Sequence, residues 1–128
     1  MLMPPISRYM TVQPWTVSPH VSIAKAQDLM REHQIRHLPV VDDDKLVGVV
    51  SNHDLRFAWV AEDTTVREVM TEHVLTAIAD ADAADVVGEM STRKCSSTVI
   101  TRDGAVLGIF TDTDACRVLA ELLRHDAA

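Results

Sequence analysis

The sequence predicts an α+β fold, an α/β sandwich made of two pseudo-symmetric β-α-β-β-α repeats that pack sheet to sheet. Three observations support this prediction. The 128 residues are 47% hydrophobic but only 4% aromatic, which suits one compact domain with an aliphatic core. The chain matches itself when it is shifted by 60 residues. Within each copy, apolar residues recur with the spacing of strands and then of helices.

The 60-residue shift needs no gap and aligns eight pairs of identical residues. The pairs are Met10/Met70, Thr11/Thr71, Thr16/Thr76, Ala24/Ala84, Met30/Met90, Asp43/Asp103, Gly48/Gly108 and Asp54/Asp114. Neither copy alone is large enough to close a core, so we expect the two to bury their apolar faces against each other.

Each repeat is predicted to open with a short extended piece, Trp15–Val17 or Leu75–Ala77. A helix follows, which Ser22 or Asp82 can cap. Its apolar face is formed by Ile23, Ala26, Leu29 and Met30 in the first repeat and by Ala83, Val86, Val87 and Met90 in the second.

A hairpin and a final helix complete each repeat. The strands HLPVV and STVIT lead through the turns DDDK and RDGA into the strands LVGVV and VLGIF. Gly104 suits the second turn. The apolar residues of the final helices are Leu55, Ala58 and Trp59 in the first repeat and Ala115, Val118, Leu119, Leu122 and Leu123 in the second.

Charge and composition exclude several classes of protein. A net charge of -7 makes nucleic acid an unexpected partner, because affinity for its backbone comes from Lys and Arg. We expect no membrane span, since no apolar run approaches about 20 residues. The N-terminus lacks the pattern of a signal peptide. Cys95 and Cys116 do not form a disulfide framework, so we expect a reduced, cytoplasmic protein.

A hydroxyl residue and an aspartate mark the end of the second hairpin strand in both repeats. Ser51 and Asp54 stand three residues apart, as do Thr111 and Asp114. One interpretation is a helix cap, because the hydroxyl can accept from a free N–H of the first turn. The other is a nucleoside site, because a carboxylate can accept from both hydroxyls of a ribose diol. The two interpretations are compatible.

No catalytic residues are predicted, because no nucleophile stands with a general base and no Gly-rich loop could hold phosphate. Cys95 and Cys116 lie outside any C-x-x-C pair, and Cys95 aligns with Ile35 as a small apolar core residue. No metal site is assigned. A zinc site formed by these cysteines with histidines stays an alternative.

The pattern G-h-h-[ST]-x-x-D after IRHLPVVDDDKLVG resembles the cystathionine β-synthase (CBS) domain. Two such copies, at 6–60 and 66–124, resemble a tandem CBS pair, or Bateman module. The second repeat departs from the family pattern at Ser97-Thr98-Val99, where the first has His37-Leu38-Pro39. The resemblance implies a non-catalytic sensor with no resident cofactor. Its regulatory ligand would be AMP, ADP, ATP, S-adenosylmethionine or NAD(H), bound in clefts between the motifs.

The resemblance also implies which residues bind the ligand, with the aspartate on the ribose and the hydroxyl beside it. Site 1 would comprise Thr16, Val17, His37, Leu38, Pro39, Ser51 and Asp54, and the basic residues Arg36 and His53 beside these positions are candidate phosphate partners. Site 2 would comprise Thr76, Ala77, Thr98, Val99, Thr111 and Asp114. Asp112 adds a negative charge where the first repeat has Asn52. We therefore expect a charged phosphate at site 1 and a less charged adenosyl ligand at site 2.

The last helix carries an apolar stripe, Val118, Leu119, Leu122 and Leu123, which either completes the core or meets a partner. The resemblance implies a homodimer through helices. Because the chain shows no effector domain, we expect its signal to reach another, unknown protein. A ligand-free interaction dimer and a metal- or redox-responsive protein are the alternatives.

Overall fold

The computed structural model describes residues 3–57 and 63–127, and within them the chain has the mixed α+β fold that the sequence predicts. In chain order the elements are a 3-10 turn (Ile6–Arg8), β1 (Thr11–Val12), α1 (Ile23–His33), β2 (His37–Asp42), β3 (Lys45–Ser51), α2 (Asn52–Phe57), α3 (Val66–Val69), β4 (Thr76–Ala77), α4 (Ala83–Arg93), β5 (Ser97–Arg102), β6 (Ala105–Thr111) and α5 (Asp112–Ala127). Ala58 and Trp59, which we assigned to the first repeat's final helix, lie outside the described residues.

The first long helix of each repeat begins where its cap predicts. Ser22 Oγ accepts from Lys25 N at 3.1 Å at the start of α1, and Asp82 Oδ1 accepts from Ala84 N at 2.8 Å at the start of α4. These bonds satisfy N–H groups that have no partner within the helix.

Both hairpins turn on two residues with positive φ. Asp43 and Asp44 have φ of 50° and 62°, and Asp103 and Gly104 have φ of 53° and 84°. Such a pair matches the right-handed twist of the flanking strands. Aspartate tolerates this conformation better than most residues, so the first turn forms without glycine.

The described residues divide into two compact units. The α1 unit comprises Pro14–Val74 and Asp103–Val106, and the α4 unit comprises Met1–Gln13, Leu75–Arg102 and Leu107–Ala128. In the part of the chain that the structure describes, β2 and β3 form a two-stranded antiparallel sheet, while the other strands form a sheet in the order β1-β6-β5-β4.

Each unit has its own apolar core, which is aliphatic in the α1 unit and includes the aromatic side chain of Phe110 in the α4 unit. Leu38, Val40 and Val50 are fully buried beneath α1, and Phe110 and Ile100 lie among the buried side chains beneath α4. The periodicity of the two helices therefore identified most of the residues that pack, including Ala26. Val87, which we assigned to the apolar face of the second helix, is instead 39% exposed.

Each unit also contains a segment from the other repeat, which the sequence did not predict. Thr11 of the first repeat pairs with Ile109 of the second in the α4 unit. Thr71 of the second repeat bridges to Val49 of the first in the α1 unit, with backbone N–O distances of 2.9 and 3.0 Å. The Met-Thr pairs that recur in the sequence are thus exchanged between the units.

A glycine lies under each exchanged segment. A Cβ on Gly48 would lie 2.7 Å from Met70 Sδ and 2.8 Å from the Thr71 carbonyl oxygen, and Gly108 is approached as closely by Met10 and Thr11. Because real Cβ contacts are longer than 3 Å, only glycine fits without a backbone shift.

We expect Gly108→Ala to destabilise the protein by about 1–3 kcal/mol, the usual cost of overpacking. Gly88→Ala is the matched control, because a Cβ there meets nothing within 4 Å and the residue lies inside α4. It should stabilise by about 0.5–1 kcal/mol. Urea unfolding of the two variants measures both, and equal effects would contradict the role assigned to the exchanged segment.

Candidate functional site

In the first repeat, β3 ends at Ser51 and α2 begins at the next residue, with Asp54 in its first turn. Ser51 Oγ accepts from Asp54 N at 3.0 Å, and Asp54 Oδ2 accepts from Ser51 N at 3.0 Å. This reciprocal pair is a helix cap with aspartate in the place of the usual glutamate. The cap interpretation of this element is confirmed.

The second repeat has the same cap with one addition. Asp114 Oδ2 accepts from Thr111 N at 3.0 Å and from Thr111 Oγ1 at 3.2 Å, while Asp114 N donates to that hydroxyl at 3.3 Å. The other carboxylate oxygen of Asp114 lies 3.4 Å from Arg117 Nη2. Asp114 is 8% exposed, so its carboxylate is held in a fixed position.

The caps leave acceptor capacity on both carboxylates. An ionised carboxylate has about four lone-pair sites, and each cap uses one oxygen. Asp54 is half-buried and its Oδ1 takes no part in the cap. Capping and diol binding therefore remain compatible in this geometry.

Part of predicted site 1 comes together within the α1 unit. In the β2–β3 register His37 lies opposite Ser51, which bonds Asp54, and Asn52 N donates to the Arg36 carbonyl at 2.8 Å. These contacts gather His37, Ser51 and Asp54 at one end of the hairpin.

The remaining site 1 residues differ in exposure. Val17 N donates to the Pro39 carbonyl at 3.1 Å, which makes Val17 the neighbour of β2. Leu38 and Pro39 are fully buried. The side chains of Thr16, Arg36 and His53 are exposed, in agreement with the surface position that basic residues usually take.

Predicted site 2 adjoins a cavity within the α4 unit. Thr76 pairs with Val99 and Ala77 with Ile100 in the parallel β4–β5 ladder. A cavity of about 220 Å³ opens beside this ladder and is lined by Leu75, Thr76, Ala77, Asp85, Val86, Glu89 and Thr98. Three of the six predicted residues thus share one cavity.

The other three predicted site 2 residues do not line this cavity. Val99 is fully buried, and Thr111 and Asp114 form the cap described above. Asp112 N donates to the Ser96 carbonyl at 2.9 Å, which joins the start of α5 to the residue before β5.

Thr98 is the unusual residue of the cavity. It is 1% exposed, and its buried Oγ1 has no hydrogen-bond partner among the described residues. Its equivalent in the first repeat is Leu38, a fully buried core residue. A buried hydroxyl without a partner costs free energy, so each such group calls for an explanation. A ligand that donates to Thr98 Oγ1 would remove this cost.

Sequence reasoning missed Asp85 and Glu89 as cavity residues. The signal was available in the 60-residue alignment, because Asp85 replaces Lys25 and Glu89 replaces Leu29 on the same helix face. An acidic residue thus stands where the first repeat has a basic one, and another where it has an apolar one. These replacements indicate that this helix face has different surroundings in the second repeat.

Neither cysteine belongs to a metal cluster in the described structure. Between residues 3–57 and 63–127, no three side chains of His, Cys, Asp or Glu converge as metal ligands. Cys95 is half-buried and Cys116 is exposed.

The helices within those ranges include none that is long and apolar enough to cross a bilayer.

Comparison with known proteins identifies the family. CBS domains match residues 6–61 and 66–121. The chain is 35% identical over 107 residues to the uncharacterized protein MJ1232 of Methanocaldococcus jannaschii, covering 83% of this chain and 36% of that protein. It is also 35% identical to the L-aspartate semialdehyde sulfurtransferase of the same organism, covering 82% of this chain and 21% of the enzyme. The chain thus spans about a third or less of these relatives.

A solved structure extends the likeness to almost the whole chain. The CBS domain pair of protein MJ0100, in complex with 5′-methylthioadenosine and S-adenosyl-L-methionine, is 30% identical. It superimposes with a TM-score of 0.87, covering 94% of this chain and 98% of that one. This chain therefore belongs to the CBS domain family and contains a pair of CBS domains.

Proposed function

We propose that the chain is a sensor module that binds adenosyl ligands at one or both of the sites built on Asp54 and Asp114. The observation that carries the proposal is the cavity beside β4 and β5, which Thr76, Ala77 and Thr98 line. The buried hydroxyl of Thr98 has no hydrogen-bond partner among the described residues, so a bound ligand could provide one.

Two further observations support an adenosyl compound. MJ0100 is 30% identical to this chain and holds two adenosyl ligands in its crystal structure. Asp54 and Asp114 each keep acceptor sites that a ribose diol can use. The ribose contact, the base contact and the choice of ligand at each site are part of the proposal.

A homodimer is the second part of the proposal. The outward face of α5 exposes Leu119, Leu122 and Leu123, which are 55%, 59% and 58% accessible. An apolar groove of about 680 Å³ runs beside it in the α4 unit, lined by residues that include Val87, Val118 and Leu119. Exposed apolar residues that border such a groove are typical of an association surface.

We choose a second copy of this chain as the occupant because the groove and the exposed leucines belong to the same surface. A two-fold interface needs one patch that complements itself. Leu119 and Leu122 line the groove themselves, so the exposed leucines and the groove form one continuous apolar patch that can meet the same patch of a second copy. An effector protein would then receive the ligand signal from the dimer. The cytoplasmic location expected from the sequence stays a prediction.

Ligand binding is tested with Asp54→Asn, Asp114→Asn and the double variant in thermal unfolding with AMP, ATP, NADH and S-adenosylmethionine. Asparagine keeps a side-chain oxygen for the cap but cannot accept from a diol through two oxygens. A ligand at 100 times its Kd should stabilise the wild type by about 2.7 kcal/mol for each site that it fills, and each single variant should lose the contribution of its own site.

Asp82→Asn is the matched control, because it changes a helix-capping aspartate outside both sites. It should keep the full stabilisation. Stabilisation that survives in the double variant would show that the ribose assignment is wrong. If none of the four compounds stabilises the wild type, the ligand-free or the metal-responsive alternative replaces the proposal.

Thr98→Val removes the unpartnered hydroxyl with almost no change in shape. We expect the unliganded protein to gain about 1 kcal/mol of stability, because a buried hydroxyl without a bond is unfavourable. Ligand-induced stabilisation at site 2 should fall at the same time. Thr101→Val on the same strand is the control and should leave ligand binding unchanged. A large loss of stability in Thr98→Val would contradict the absence of a partner.

The dimer is tested by Leu122→Glu and sedimentation velocity. We expect the wild type to sediment as a dimer and the variant as a folded monomer, because a carboxylate in an apolar interface has no partner. Arg124→Glu also places a carboxylate on α5, but on the side of the helix opposite Leu122, because two residues turn the helix by about 200°, and this variant should remain dimeric. A monomeric wild type would leave the apolar face to a different protein.

A further inference from the structure

The cavity beside Thr98 has no counterpart in the sequence pattern of the first repeat. Three of the polar residues that line it, Asp85, Glu89 and Thr98, correspond to Lys25, Leu29 and Leu38 in the first repeat. Leu38 is fully buried and Leu29 packs against the same core, so apolar side chains fill that space in the first repeat. In the second repeat, the polar residues Glu89 and Thr98 replace these two leucines.

The polar groups of the cavity carry negative charge. Asp85 is exposed and forms no ion pair with the described residues, whereas Glu89 is paired with Arg93 one turn along α4. The described residues that line the cavity include no Lys or Arg. The uncompensated charge at its wall is therefore that of Asp85.

The size of the cavity indicates what it accepts. About 220 Å³ is below the roughly 300–1,000 Å³ of sites for whole drug-sized ligands, so it takes one part of a ligand. Thr98 Oγ1 can accept from an N–H of that part. Asp85 lines the same cavity, and a phosphate placed beside it would be repelled by a like charge.

We propose that this cavity of the second repeat selects adenosyl ligands that are uncharged or positively charged beyond the adenosine, and rejects those that carry phosphates. The proposal rests on the proposed adenosyl function. It adds the residues that determine the choice, which are Asp85 for charge and Thr98 for the hydrogen bond.

The test uses isothermal calorimetry on the full chain with Asp54→Asn, which removes the proposed ribose contact of site 1. The probes are S-adenosylmethionine, 5′-methylthioadenosine, AMP and ATP. Affinity should fall in that order, and the differences should shrink as salt is added, because Asp85 is exposed and its field is screened.

Asp85→Lys then introduces the residue of the first repeat. We expect AMP and ATP to bind about threefold to fivefold more tightly for each charge changed, S-adenosylmethionine to bind more weakly, and 5′-methylthioadenosine to keep its affinity. Asp126→Lys makes the same change at an exposed position of α5 that does not line the cavity, and should alter none of the ratios.

The outcomes separate this inference from the function on which it rests. If ATP binds as tightly as 5′-methylthioadenosine, or if Asp85→Lys leaves their ratio unchanged, the inference is overturned while the adenosyl function stands. If none of the four probes binds the wild-type chain, the adenosyl function fails and the inference fails with it. Selective loss of S-adenosylmethionine affinity in Asp85→Lys supports both.

Discussion

The reciprocal hydrogen bonds between a strand-ending hydroxyl residue and an aspartate three positions later are the contacts on which both proposed sites depend. They fix the residue at which β3 or β6 becomes a helix, and they hold one oxygen of Asp54 or Asp114 in place. The same bonds determine which oxygen stays available to a ligand. In the proposed sites, folding and ligand binding thus use different parts of the same carboxylate.

The two repeats have diverged around this shared element. Pro39 and Leu38 give the first repeat a fully buried strand start, whereas Thr98 leaves an unbonded hydroxyl beside a cavity in the second. Natural sequences break the rules of stable packing mainly at functional positions. The departure occurs in one repeat only, at a position where the other repeat has an apolar core residue, and it underlies the different ligand preference proposed for the second repeat.

Much of the fold followed from local patterns in the sequence. Ser22 and Asp82 marked the starts of α1 and α4, because a capping side chain acts on its own neighbours. The exchange of the Met-Thr segments could not be predicted, because the 60-residue shift is the same whichever hairpin each segment joins. The cavity was missed for a similar reason. Glu89 lines it, but the periodicity of one helix does not show how the side chains of neighbouring elements pack around that position.

The exchange of segments also bears on how such a chain could have arisen. In the structure each glycine is covered by a Met-Thr segment of the other repeat: Gly48 by Met70-Thr71 and Gly108 by Met10-Thr11. One ancestral copy alone could not form this arrangement. The simplest precursor is therefore a symmetric dimer of short chains that exchanged their Met-Thr segments, as in domain swapping. Fusion of two such genes would place both copies in one chain and keep the segments exchanged. Neither half is then expected to fold as a monomer when the chain is cut between the repeats.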